Sequence, residues 1–176
     1  MSKLKLYIAT SIDGYIADSK GGLDWLTTHL NPQGLDYGYQ LFYNSIGSLL
    51  MGGKTYRDIL SMNIPWPYSG KNSYIVSRNE IKTTERNIHS VTTSIIATII
   101  QLKKESASDI WLVGGGKLIA LCLENQLIDS MIITCIPKLL GEGVPLFPKT
   151  TIESDWSVGE VNYYPNGVVT INYIKK

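Results

Sequence analysis

The sequence predicts an α/β fold: a mixed, mostly parallel central sheet flanked by helices, with a C-terminal antiparallel hairpin. Three observations predict it. Short apolar runs alternate with segments of helical periodicity as far as residue 137, the pattern of parallel strands joined by helical crossovers. Two of those runs, ending at Met51 and Val113, meet glycines that open the next helix. The last third holds two strand-like runs around Asn166-Gly167, a dipeptide suited to a tight hairpin turn.

Each element follows from its local pattern. KLKLYIAT, residues 3–10, alternates and then becomes continuously apolar, as a strand entering a sheet does. Ser11–Gly14 is a turn and residues 18–22 a loop. Leu23–Leu30 reads as a short helix closed by Asn31-Pro32. Residues 36–46 read as a helix, because Tyr39, Phe42, Tyr43 and Ile46 recur at spacings of three and four. SLLMG is a short buried strand, and KTYRDILSM begins another helix after Gly52-Gly53. Pro65, Trp66, Pro67 and Gly70 mark a loop. Residues 72–77 and 88–91 are strands. Thr92 or Thr93 can cap a helix running to Glu105, with Ile95, Ile96, Ile99, Ile100 and Leu102 on its buried face. Residues 109–113 form a strand, 117–125 a helix, and 128–137 a long strand. One domain spans residues 1–176, with no internal repeat or linker.

Composition excludes several classes. Charged residues make up 18% of the chain and apolar residues 44%, which is incompatible with intrinsic disorder. Lys plus Arg is 16 against 15 Asp plus Glu, a net charge of +1 that calls for neither nucleic acid nor an anionic membrane. Cys122 and Cys135 lie in apolar runs without disulfide or zinc spacing and read as buried free thiols. No apolar run approaches the ~18 residues of a membrane span, and the N-terminus lacks a signal-peptide h-region. The chain reads as a soluble, cytoplasmic protein.

Chemistry concentrates at strand ends. In WLVGGGKLIA a buried strand meets Gly114, Gly115 and Gly116 and then a helix. Glycines admit a phosphate close to the backbone, and the helix start offers free N–H groups. The alternative is a tight connection that tolerates glycine. Ile119 occupies the last position of G-x-G-x-x-G, so the ordinary dinucleotide fingerprint is absent. In LLMGGKTY the pattern recurs with Lys54 and Thr55 at the helix start, suited to phosphate or ribose, or merely a capped helix. Ser77 and Arg78 close a third strand and can hold a phosphate monoester, although such a pair is often only surface. Three such strand ends fit a dinucleotide lying across one sheet edge.

ATSIDGYIA, MGGKTY, IVSR, VGGGKL and PKLLGEGVPLF stand in the order found in the dihydrofolate reductase superfamily. Over about residues 4 to 175 the chain resembles that superfamily, and most of all the stand-alone proteins related to the reductase domain of riboflavin biosynthesis. The resemblance implies a reductase that binds extended NADPH and passes hydride to a C=N or similar group. It implies that Gly114, Gly115 and Gly116 face the pyrophosphate across a cis Gly114–Gly115 peptide, with Lys117 and Leu118 opening the helix behind. Gly52, Lys54 and Thr55 would border the cofactor from the other helix, Thr55 on the pyrophosphate. Ser77 and Arg78 would meet the adenosine 2′-phosphate, and the backbones of Ala9 and Ile16 the nicotinamide. Asp36 stands at the spacing of the family's carboxylate, and Thr134 matches the threonine that shares its ligand. A carboxylate beside an apolar pocket would have a raised pKa and could relay a proton; the alternative is that Asp36 caps the helix after it. Asp13 more readily shapes the turn with Gly14.

Two departures bear on substrate. Gly53 stands where the family commonly has an arginine that grips the 2′-phosphate, which leaves the preference for NADPH over NADH open. Gly70 stands where folate reductases carry the arginine that clamps the glutamate tail, which argues against folate. Among other residues, Trp25 reads as a pocket wall or a plug over the core, Trp66 as a shield for substrate or a subunit contact, and Trp111 as core. His29 and His89 have no catalytic partner at a suitable spacing. Tyr163 and Tyr164 serve a homodimer interface or cover the sheet. The sequence therefore points to a NADPH-dependent reductase of a small heterocyclic substrate, a homodimer binding no nucleic acid or membrane. The alternatives are true dihydrofolate or 5-amino-6-ribosylamino-uracil reduction, and a nucleotide-binding protein without turnover.

Overall fold

A computed structural model describes residues 1–27, 34–149 and 152–176. Its elements in chain order are β1 (Leu4–Ser11), β2 (Tyr15–Asp18), α1 (Asp24–Thr27), α2 (Tyr39–Ser45), β3 (Ile46–Gly52), α3 (Gly53–Ser61), β4 (Asn72–Val76) and β5 (Ile88–Val91). Then follow α4 (Ile95–Glu105), β6 (Asp109–Gly114), α5 (Gly116–Glu124), β7 (Ser130–Ile136), β8 (Gly143–Pro145), β9 (Trp156–Tyr163) and β10 (Val169–Lys175).

The central sheet has eight strands in the order β5-β4-β3-β6-β1-β7-β10-β9. The pairs from β5 through to β7 are parallel. β10 joins β7 and β9 antiparallel, which is the expected hairpin as an antiparallel edge. Its turn uses Gly167 at φ 82, with Gly167 N–H donating to Tyr164 O at 2.9 Å.

The apolar runs are buried on both faces, as interior parallel strands require. On one face Leu4, Leu6, Leu50, Ile110 and Leu112 pack against Ile99 of α4 and Ile119 and Cys122 of α5. On the other, Leu49, Met51 and Trp111 pack against Phe42 of α2 and Tyr56 of α3. A smaller cluster of Trp25, Tyr37, Ile136 and Val168 closes the end near the hairpin turn. Lys103 on α4 is nearly buried, and its Nζ meets Asp129 Oδ2 at 2.7 Å and Leu127 O at 2.9 Å.

Several expectations are corrected. α2 starts at Tyr39, because Tyr37 and Gly38 are left-handed. Neither Thr92 nor Thr93 caps α4; Ser94, left-handed at φ 49, precedes it. β2 and β8 pair antiparallel as a separate two-stranded sheet, and neither was expected, being too short to show a period. α1 ends at Thr27, and the rest of the expected helix to Leu30, with His29, lies outside the described residues. No helix among the described residues is long and apolar enough to cross a membrane.

Candidate active site

The parallel strands β4, β3, β6 and β1 all end on the same edge of the sheet, and each hands the chain to a loop or helix there. In open α/β sheets ligands settle at that edge. A cleft of about 1700 Å³ runs along it. Ligand pockets are commonly about 300–1,000 Å³, so this cleft has room for a dinucleotide and a small molecule together. Ile16 and Ala17 of β2 and Val144 of β8 line it. Their sheet is pinned by Leu146 N–H to Gly14 O at 2.8 Å, and by the Asp13 carboxylate, which accepts Leu140 N–H at 3.1 Å and Gly141 N–H at 2.7 Å. Asp13 also accepts the Ser11 hydroxyl at 2.6 Å, so it organises this turn as expected.

The middle of the cleft is a glycine cradle. β6 ends at Gly114, whose φ of 123 only glycine adopts readily, and the Gly114–Gly115 peptide is cis. Met51 of β3 pairs with Gly114, which brings the two strand ends together. A Cβ on Gly52 would stand 3.7 Å from Gly114 O, and one on Gly115 would stand 3.5 Å from Thr55 Oγ1. Gly116 is tighter, with Pro145 O 3.0 Å from an added Cβ. The first turns of α3 and α5 therefore open side by side, with Gly52, Thr55, Gly115 and Gly116 lining one surface and Lys117 and Leu118 continuing it. Leu118 is also core, and Gly114 itself does not line the cleft.

Cations gather toward β4. Lys54, Ser77 and Arg78 line the cleft there, as does Arg57, which the sequence reading passed over. Lys54 Nζ is committed to Asp58 Oδ2 at 2.7 Å. Arg57, Arg78 and Lys117 form no ion pair among the described residues. The Ser77 hydroxyl donates to Asn79 O.

The other end is aromatic. Tyr7 of β1 stacks on Phe42 at 4.5 Å, and Trp111 donates its Nε1–H to Tyr7 O at 3.1 Å. Tyr7, Ala9, Trp111 and Tyr68 line the cleft, so Trp111 is wall as well as core. Burial pushes the Tyr7 hydroxyl up to about 12, and it donates to Tyr37 O at 3.1 Å. Burial likewise raises the Tyr68 hydroxyl. Both phenols therefore stay protonated across the neutral range.

Asp36 and Thr134 do not line the cleft. Asp36 is exposed; its Oδ2 accepts Gln40 N–H at 3.0 Å and its Oδ1 accepts Gly38 N–H at 3.0 Å. Those bonds, that from Gln40 foremost, hold its carboxyl below the ordinary range, so the expected raised pKa is corrected. The physical reason is that Asp36 satisfies backbone N–H groups at the start of α2 instead of sitting in an apolar pocket. Thr134 pairs in register with Ala9 and is 3% exposed. Its Oγ1 is buried without a hydrogen-bond partner, although it lies near enough to the Tyr7 hydroxyl to offset part of that group's rise.

Other expectations resolve simply. Trp25 is 6% exposed and plugs the core beside Tyr37. Trp66 makes edge contacts with Tyr56 at 5.4 Å and Tyr68 at 5.2 Å, so it backs the aromatic wall. His89 stacks on Tyr74 at 5.1 Å and meets Asn72 Oδ1 at 3.2 Å. Cys122 and Cys135 are free thiols; Cys122 is buried and Cys135 half-buried. The missed residues had partial signals. Tyr7 shares a strand face, by alternation, with the expected Ala9, and Arg57 stands one helical turn after Gly53.

Comparison with known proteins agrees with this architecture. The model of the RibD C-terminal domain matches residues 70–170. The uncharacterized protein YwjB of Bacillus subtilis strain 168 is 34% identical over 152 residues, covering 86% of each chain. A crystal structure from Shewanella sp. PV-4, described as a riboflavin biosynthesis protein, superposes with a TM-score of 0.88 at 32% identity, covering 99% of both chains. A Thermotoga maritima diaminohydroxyphosphoribosylaminopyrimidine deaminase/5-amino-6-(5-phosphoribosylamino)uracil reductase shares the fold, with a TM-score of 0.74 at 14% identity, and this chain spans 57% of it.

Proposed function

Because the chain belongs to the RibD C-terminal domain family, we propose that it is a reductase that binds NADPH along the strand-end cleft and reduces a small heterocyclic substrate at the aromatic end. The observation that carries this reading is the cradle of Gly52, Gly115 and Gly116, where added side chains would fill the space between two helix N-termini and Pro145.

The residues present fit a dinucleotide. Free N–H groups at the starts of α3 and α5 and the Thr55 hydroxyl hold the pyrophosphate. Arg78 and Ser77 take the adenosine end, and the Ala9 and Ile16 backbones border the nicotinamide. When bound, NADPH supplies the hydride. Tyr7 and Trp111 exclude water from one side of the substrate and orient its ring by stacking. Thr134, in register with Ala9, is buried behind that end of the cleft and supports Ala9 and Tyr7 without touching the substrate. The balancing proton comes from solvent water, since Asp36 is ionised and held at the helix start. One domain spans residues 1–176, and the chain acts as a homodimer.

The test is a titration of intrinsic tryptophan fluorescence with NADPH and NADH, in the wild type and in Gly115→Ala. Trp111 in the cleft wall makes quenching the expected signal. Binding that is lost in the variant, followed by NADPH oxidation against a panel of small heterocycles, supports a reductase. Absence of binding for either nucleotide at millimolar concentration overturns it. A second reading, nucleotide binding without turnover, is favoured by the capping role of Asp36, and failure of every heterocycle despite tight NADPH binding would select it.

A further inference from the structure

Gly53 leaves a hollow in the first turn of α3, and another side chain occupies it. A Cβ built on Gly53 would lie 3.3 Å from Nη1 of Arg57 and 3.1 Å from Cβ of Ser77. A helical side chain leans over the turn that precedes it. The Arg57 guanidinium therefore returns to the place from which a residue-53 side chain would extend, beside the end of β4. Arg57 is exposed, lines the cleft, and makes no ion pair or hydrogen bond among the described residues. Lys54, the nearest other cation on α3, is held by Asp58. Arg78, the next residue after Ser77, is uncommitted as well.

We propose that Arg57 is the specificity residue for the nucleotide: its guanidinium, beside Gly53 and the end of β4, grips the 2′-phosphate and selects 2′-phosphorylated over unphosphorylated dinucleotides. This rests on the nucleotide reading given above. A guanidinium fork meets a phosphate monoester with two parallel N–H donors, which an ammonium does not match. A hydrogen bond to a charged group of this kind corresponds to about ten- to a hundred-fold in affinity. The glycine matters because any larger residue at 53 would push against Arg57 and Ser77.

The experiment measures dissociation constants of NADPH, NADH and adenosine 2′,5′-bisphosphate by fluorescence titration and competition. It compares the wild type with Arg57→Ala and Arg57→Lys. Arg57 is exposed on α3, and thermal unfolding checks that both variants stay folded. The wild type is expected to prefer NADPH. Arg57→Ala should lose about ten- to a hundred-fold for NADPH and the bisphosphate while NADH affinity stays the same, and Arg57→Lys should fall between. Unchanged NADPH affinity in Arg57→Ala would overturn the assignment and leave the nucleotide site standing. So would equal losses for NADPH and NADH, which would put Arg57 on the pyrophosphate. A wild type that binds none of the three would overturn the assignment and the nucleotide site together.

Discussion

The carboxylate of Asp36 accepts the backbone N–H of Gln40 at 3.0 Å, and that bond ties the loop before α2 to its first turn. Removing the group in Asp36→Ala should cost about 0.5–2 kcal/mol, as loss of a helix cap does. Urea unfolding measures this. Turnover with an accepted heterocycle should persist. A hundred-fold loss of kcat with unchanged stability would return the carboxylate to the chemistry.

Thr134 separates a structural hydroxyl from a functional one. Its Oγ1 is buried and unpaired, so Thr134→Val, which keeps the shape, should be neutral to stabilising by up to about 1 kcal/mol. Because the hydroxyl lies behind the cleft wall, KM and NADPH affinity should both keep their wild-type values in the variant. A raised KM with unchanged NADPH affinity would put the Thr134 hydroxyl on the substrate.

The two glycines that open α5 should behave differently. Gly115 has φ −86 and ψ −168, which alanine adopts, and its added Cβ makes only ordinary contact with Thr55. Gly115→Ala should keep its melting temperature and lose nucleotide affinity. Gly116→Ala drives a Cβ to 3.0 Å from Pro145 O, a backbone atom, and should destabilise by about 1–3 kcal/mol as overpacking does. Calorimetry and titration of both variants check the contrast, and a reversed pattern would place the nucleotide elsewhere.

Asp13 links the β2–β8 sheet to acid stability. The Ser11 hydroxyl first, then the N–H groups of Leu140 and Gly141, hold its carboxyl below the ordinary 3.8. A depressed folded pKa contributes stability above the unfolded pKa, and that contribution is lost as pH falls through the folded value. Asp13→Asn should therefore be less stable than the wild type at pH 7, and the difference should shrink below about pH 4. Unfolding curves at pH 7 and at pH 3 decide it; a constant difference would mean that the charge plays no part.

Much of the fold was legible because parallel strands carry a strong local signal. Leu49–Met51 and Ile110–Leu112 are continuous apolar runs, buried on both faces, and each glycine pair or triplet follows where a helix must begin. β5 at Ile88–Val91 was legible to the residue. β2 and β8 were not, since four- and three-residue strands show no period and their partners stand 125 or more positions apart in the chain.

The local sequence by itself determined the strands, the helices and the glycine openings, because apolar periodicity and backbone freedom are properties of neighbouring residues. Only the tertiary structure decided the roles of Asp36 and Arg57. The choice between cap and proton carrier depends on whether backbone N–H groups or an apolar wall surround the carboxylate, and the Gln40 and Gly38 amides surround it. Arg57 reads as a surface cation until α3 packs beside the end of β4. Then the missing side chain at Gly53 lets its guanidinium fold back over the first turn of α3, with Nη1 3.3 Å from where a Cβ at residue 53 would stand. Both outcomes turn on distances of a few ångströms between groups that the chain brings together only by folding.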